Sequence, residues 1–256
     1  MRMESWKIKY WNRAGMYLQS HLKSGTRNTW IRNICTSPSF CDFIFLYGNR
    51  IYCVIFSNVY ISGRKVNAEF DRKEVERLLH VCDANNLTAC LMPMMEKDGN
   101  LLFPNGWGLI DAREYYLNDR AIAVIPDELC DDEEIEMSDW ECLDMASQVV
   151  RRFLKEKSIE VICYQDGSIR DPQIVFKDKR GTPCALFIRY CVYPVQETAL
   201  PQEDISDLRE RAVRQYGAGR FFFASVSFAP KEGKSRLIRG EELRVRFTGI
   251  EELKDA

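Results

Sequence analysis

The chain has 256 residues, 46% apolar and 29% charged, with a net charge of −2. This mix builds cored globular domains, one large or two of ordinary size, and excludes a low-complexity or disordered chain. The longest apolar stretch, Phe43 to Ile61, is broken by Gly48, Asn49 and Arg50, so no segment reads as a membrane span. The opening residues MRMESWKIKYWNR lack the apolar run of a signal peptide, so a cytoplasmic protein that engages no membrane is expected.

The elements follow in chain order. Residues 4–23 carry an aromatic helical pattern. Phe43–Tyr47 and Arg50–Tyr60 flank the two-residue turn Gly48-Asn49, a hairpin signal. A helix over Glu69–Asn85 leads into the apolar strand Leu87–Met95, the turn Asp98-Gly99 and a further short strand. Residues 127–144 then hold ten acids and no base, between stretches with 16 bases against 12 acids and 20 against 16. Ser138 and Glu141 form a capping box before an apolar stripe at Cys142, Ala146, Val149, Val150, Phe153 and Leu154. A second hairpin pairs Gln173–Phe176 with Cys184–Tyr193 across the loop KDKRGTP. A helix over Asp204–Tyr216, the strand Phe221–Phe228, the turn Glu232-Gly233 and a last strand close the chain.

The order α-β-β-α-β-β therefore occurs twice. Sliding the chain by 134 residues aligns Glu69–Leu109 with Glu203–Leu243 with eight identities in 41 positions, where average usage gives about two or three by chance. Trp6 and Trp140 share that offset. The expected architecture is α/β (α+β): two tandem domains at 1–125 and 138–256, each a mixed sheet flanked by helices, joined by an acidic linker at 126–137. Near-continuous apolar strands such as FIFL and CALFI call for a sheet covered on both faces.

Most catalytic chemistry has no signature here. No GxSxG, Walker loop or HExxH occurs. Gly106-Trp-Gly108 and Gly217-Ala-Gly219 lack the third glycine of a dinucleotide fingerprint. The two histidines, His21 and His80, are expected to be solvent-facing or partly packed. Ten cysteines, none within a CxxC, point to reduced structural thiols rather than a zinc site.

An aspartate precedes each hairpin, in Cys41-Asp42-Phe43 and Arg170-Asp171-Pro172. A helix, an aspartate at a strand start, a turn, an apolar second strand, then helix and strand resembles the restriction-endonuclease-like, or PD-(D/E)XK, nuclease superfamily. In active members that resemblance implies a second acid and a lysine on the second strand, with Mg²⁺ held by the two acids. Asp171 matches the first acid, but Phe187 stands where the second acid belongs and Arg189 where the lysine belongs. Asp42 matches the first acid in the other half, and Tyr52–Ser57 offers neither an acid nor a lysine. The match implies two degenerate sites, with no metal or other cofactor. If Phe176 and Cys184 are opposed across the second hairpin, Asp171 faces Arg189 on one side of the sheet, and the arginine neutralises it. The first hairpin pairs Asp42 with Ile55 instead.

Two classes of function follow. The first is a non-catalytic nucleic-acid-binding or interaction protein, with Arg2, Lys7, Lys9 and Arg13 among N-terminal aromatics and Arg236, Arg239, Arg244 and Arg246 near the C-terminus as phosphate contacts. The alternative is a Mg²⁺-dependent nuclease whose acid has moved to Glu141, Asp144 or Glu160. A protein partner that engages the acidic linker is a third reading, and the strip could instead shield a basic face of the chain itself.

Overall fold

A computed structural model describes residues 5–22, 30–33, 40–62, 65–95, 106–164, 171–200, 202–231 and 234–254. The turns expected at 98–99 and 232–233 lie outside them. The chain divides into two compact units, Met1–Ile135 and Glu136–Ala256, and each is a mixed sheet flanked by helices.

The first unit runs α1 (Ser5–His21), β1 (Trp30–Asn33), β2 (Phe43–Tyr47), β3 (Arg50–Ser62), β4 (Lys65–Glu69), α2 (Arg72–Ala84), β5 (Thr88–Met95), β6 (Leu109–Asp111), α3 (Ala112–Asn118), β7 (Ala123–Val124) and α4 (Pro126–Leu129). Its sheet order is β1-β2-β3-β5-β6-β7, with β4 paired to β3. Alternation sorts the side chains. Phe43, Phe45, Tyr52, Val54, Phe56, Met92 and Met94 pack with Tyr10, Trp11, Ala14 and Leu18 of α1. Ile44, Leu46, Cys53 and Ile55 point to the other face and are equally buried, and α2, whose buried stripe is Val75, Leu78, Leu79 and Cys82, packs against β3 and β5. The helix starts where the Asp71 side chain accepts the Lys73 N–H.

The second unit runs α5 (Asp139–Glu156), β8 (Val161–Tyr164), β9 (Ile174–Lys177), β10 (Pro183–Val192), α6 (Gln202–Tyr216), β11 (Arg220–Ala229), β12 (Arg244–Phe247) and β13 (Glu251–Glu252). The Ser138/Glu141 capping box forms, and Cys142, Ala146, Val150 and Leu154 of α5 lie on Ile174, Phe176, Leu186, Ile188, Ala224 and Val226. Ala185, Phe187 and Phe223 turn to the other face and meet Leu208 and Ala212 of α6. The sheet order is β12-β11-β10-β9-β8, with β13 on β11.

Both sheets therefore combine one central parallel pair, β3 with β5 and β10 with β11, with antiparallel neighbours on either side. The edge strands β1 and β8 were not anticipated from sequence. Each holds four residues with little alternation to betray it. His21 packs at a tilt against the rings of Tyr17 and Trp107, and His80 is exposed. Each described cysteine carries a free thiol.

The acidic strip departs from the linker expected at 126–137. Residues 126–135 belong to the first unit, where Pro126 and Ile135 are buried and Asp131 and Glu133 between them find donors at the β2–β3 turn. Gly48 permits this approach. Its φ is +60°, and a Cβ there would collide with Cys130 Sγ. Asp131 accepts from Arg50 Nη2 (2.6 Å) and Asn49 Nδ2 (2.6 Å). The Arg50 guanidinium first, then Asn49 and the Glu133 N–H, hold its carboxyl down at about 2.

That shift fixes a pH dependence. A depressed folded pKa contributes stability that is present above the unfolded value and lost as pH falls through the folded one. The strip should stay docked above about pH 4, the unfolded carboxyl value, and loosen as pH approaches about 2. The Asn49 side-chain amide resonances should report the release in an NMR titration, and Asp131→Asn should abolish the transition.

Candidate functional site

In the second unit the residues that would carry metal chemistry lie where β9 enters the sheet. The hairpin register opposes Cys184 to Phe176 and Pro183 to Lys177, the register expected from sequence, and continued outward it sets Asp171 against Arg189. The arginine binds the aspartate with both forks, Nη1 to Oδ1 at 2.8 Å and Nη2 to Oδ2 at 2.9 Å. Gln173 Nε2 donates to the same Oδ1 at 2.9 Å. Two oxygens thus receive three donors, in a pair whose side chains are only 13% and 30% exposed. A cation approaching Asp171 would have to displace a bidentate guanidinium.

Gln173 links this pair to the backbone. Its Oε1 accepts the Ile188 N–H at 2.7 Å and its Nε2 holds Asp171, which fixes the orientation of its amide. It is nearly fully buried. No sequence motif marks it. Phe187, where the second acid would stand, is wholly buried against α6.

Asp42 in the first unit does something different. Its carboxylate accepts the Phe56 N–H at 3.0 Å and its own N–H donates to Val54 O at 2.8 Å, and Phe43 opposes Val54, as the turn at Gly48-Asn49 requires. Asp42 directly precedes β2 and serves a β3 amide. Gln173 directly precedes β9 and serves a β10 amide. The partner of Asp42 in local geometry is therefore Gln173, and the expectation that Asp42 and Asp171 stand at comparable places is corrected. The cause is the longer second hairpin loop, which hides the register from a comparison of dipeptides.

The face that carries Arg189 is polar toward the strand ends. Ser225 on β11 lies beside Arg189, and Cys191, Ser227 and Arg246 form the next row across β10, β11 and β12. Residues 195–198 are fastened over this row. Ser227 Oγ donates to Val195 O (3.0 Å), Cys191 Sγ to the same oxygen (3.4 Å), Thr198 N to Ser225 Oγ (2.9 Å), and Arg246 reaches Gln196 and Glu197.

The expected phosphate contacts fare unequally. Arg239 is not on a binding surface. Its guanidinium is 2% exposed and binds Glu141 at 2.8 and 2.5 Å, tying the segment before β12 to α5. Arg236 pairs with Glu136. Arg244 and Arg246 do stand exposed on β12, and Arg13 is exposed on α1. Arg2 and the side chains of Lys7 and Lys9 lie outside the described residues. Of the relocated acids, Glu141 serves Arg239 and the helix cap, Glu160 holds Lys177 at 2.6 Å, and Asp144 is buried in α5. Among the described residues no group of three His, Cys, Asp or Glu is placed to hold a metal ion.

The sequence profile of a family described as a domain of unknown function (DUF8840) matches residues 140–253, within the second unit. No curated protein and no solved structure matches the chain.

The buried Glu141–Arg239 pair generates a sharp prediction. Removing one partner leaves a buried charge uncompensated, which costs about 3–5 kcal/mol. Arg239→Met should lower the unfolding free energy of the second unit by about that amount, read in denaturant melts, and Arg239→Met/Glu141→Leu should recover much of it. A loss under about 1 kcal/mol would show the pair to be solvated.

Proposed function

We propose that the chain is a non-catalytic nucleic-acid-binding protein, built on two degenerate copies of a restriction-endonuclease-like domain. The observation that carries this reading is the closed Asp171–Arg189–Gln173 network, in which a fixed cation occupies the carboxylate that a metal would need. The duplication is supported by the shared strand order and by the Asp42 and Gln173 bonds. Anchored on those bonds, Phe56 corresponds to Ile188 and its parallel neighbour Met92 to Ala224, both 132 residues apart. The 134-residue identities are thus two positions out of step with the strands, which preserves which face each residue occupies.

Binding would use the exposed arginines of β12. Arg244 and Arg246, two residues apart on one strand, project to one face, and the bonds that hold Arg246 to Gln196 and Glu197 are at the surface, where phosphate oxygens compete for them. Arg239 leaves the set because Glu141 holds it in the interior, whereas the exposed Arg236–Glu136 pair is open to the same competition as Arg246.

Two measurements test the reading. Fluorescence anisotropy with labelled DNA and RNA oligonucleotides should give affinity that falls with salt, and Arg244→Ala/Arg246→Ala should reduce the log–log salt slope by about 2. An unchanged slope would remove β12 from the interface. Calorimetry should find no saturable Mg²⁺ uptake by the native protein. Arg189→Met should destabilise the second unit by about 1–3 kcal/mol, since it removes charge-assisted bonds, and should open a weak Mg²⁺ site at Asp171. Tight Mg²⁺ binding with cleavage by the native protein would restore the nuclease alternative.

A further inference from the structure

The acidic strip is held at the β2–β3 turn by donors of mixed chemistry. Asp127 receives the Tyr47 hydroxyl on Oδ1 and the Trp107 indole N–H on Oδ2, the latter at 2.8 Å. Asp131 receives Asn49 Nδ2 on Oδ1 and Arg50 Nη2 on Oδ2, each at 2.6 Å. Each carboxylate thus presents its two oxygens to two different receptor side chains, and Asp131 Oδ1 also accepts the Glu133 N–H at 3.1 Å. The same residues also bind main chain. Arg50 Nε donates to Leu129 O at 2.6 Å, Asn49 Nδ2 to Glu133 O at 2.9 Å, and Asn49 Oδ1 accepts the Asp131 N–H at 3.4 Å.

We propose that Tyr47, Asn49, Arg50 and Trp107 form a receptor for an acidic peptide with carboxylates four positions apart, filled here by the chain's own Asp127 and Asp131 and open to a partner's acidic segment once the strip is displaced. Three features select a peptide. The side chains donate to two peptide carbonyls and accept one peptide N–H, besides holding the carboxylates. Only one of the four, Arg50, is cationic, whereas a nucleic-acid backbone is gripped by several cations and releases counterions to each. In each carboxylate the two oxygens go to different receptor side chains, which suits a planar two-oxygen group.

The strip is built to leave. Between the buried Pro126 and Ile135, every residue from 127 to 134 is exposed, so the strip itself buries few apolar side chains and is held largely by hydrogen bonds. Segments of that kind open locally at low cost. While docked, the strip competes with any partner, because a ligand sees its affinity reduced by the fraction of open receptor.

The inference does not depend on nucleic-acid binding, and its test separates the two. The probe is a fluorescein-labelled peptide of residues 125–135 with serine in place of Cys130, added to the full-length protein. Asp127→Ala/Asp131→Ala should bind it at least about tenfold more tightly than the native protein, whose receptor is filled. Adding Arg50→Ala should erase that gain, and Arg244→Ala/Arg246→Ala should not affect it. Equal binding by native and variant proteins, or a gain that survives Arg50→Ala, would overturn the proposal. A gain for a single-stranded oligonucleotide and none for the peptide would overturn the peptide assignment. A second measurement needs no change in the strip itself. Arg50→Ala should speed cleavage after Glu128, Glu133 and Glu134 by a glutamate-specific protease by about tenfold, as the open fraction rises, and an unaltered rate would also sink the idea.

Discussion

Each sheet is covered on both faces, so a polar group on its central strands meets little water and gains by finding a partner within the protein, although Tyr52 Oη and Ser57 Oγ of β3 stay buried without one among the described residues. Leaving one unpaired costs on the order of 1–3 kcal/mol, and an unpaired charge costs more. That constraint explains the unusual features of both units. Where β2 enters the first sheet, Asp42 supplies an acceptor for the Phe56 amide. Where β9 enters the second, Gln173 does the same for Ile188, and its amide nitrogen turns to Asp171. The aspartate in turn takes a guanidinium from β10. One requirement, repeated outward, produces a chain of four groups.

The same requirement redistributes the chain's charges. Arg239 and Glu141, read from sequence as a phosphate contact and a spare acid, close on each other inside the second unit. Arg220 is bidentate to Glu252 at 2.7 Å and reaches Asp178 at 3.0 Å, fastening β13 to the hairpin loop. The ten-acid run divides by role. Its first part docks on Arg50 and Asn49, and its last part serves the α5 capping box. A charge tally along the sequence treats these groups as free. The fold pairs many of them internally, so a net excess of bases overstates the surface available to a polyanion.

How much was legible in the sequence depended on how local the signal was. The Gly48-Asn49 hairpin, the Ser138/Glu141 cap and the apolar stripe of α5 involve residues a few positions apart, and their periodicities specify them. The second hairpin's register followed from one assumed pair and brought Asp171 to Arg189. Groups that meet only through tertiary structure were missed. Nothing local links Arg239 to Glu141, Trp107 to Asp127, or Gln173 to Ile188. The edge strands β1 and β8 were missed for a related reason. A short strand with one neighbour needs little alternation, so its pattern stays close to that of a loop.

The mismatch between sequence offset and strand register has its own physical reading. A strand shifted by two residues keeps every side chain on its original face, so the core tolerates it, whereas a shift by one would expose the whole apolar set. Identities between the two halves can therefore sit two positions from geometric correspondence without any conflict in packing. Hydrogen bonds are less forgiving, because a side chain that accepts a particular amide cannot follow a two-residue slip of about 7 Å. If the two halves are duplicates, the bonds of Asp42 and Gln173 fix the correspondence where the hydrophobic pattern leaves it open. They also separate Asp171 from Asp42. On the duplication reading, Asp42 persists because β3 needs its oxygen, while Asp171 persists only as long as Arg189 stands opposite it. The two acids are then under different constraints, and loss of Arg189 should be accompanied by loss of Asp171, whereas Asp42 should exchange only with residues such as Asn or Gln that can accept the same N–H.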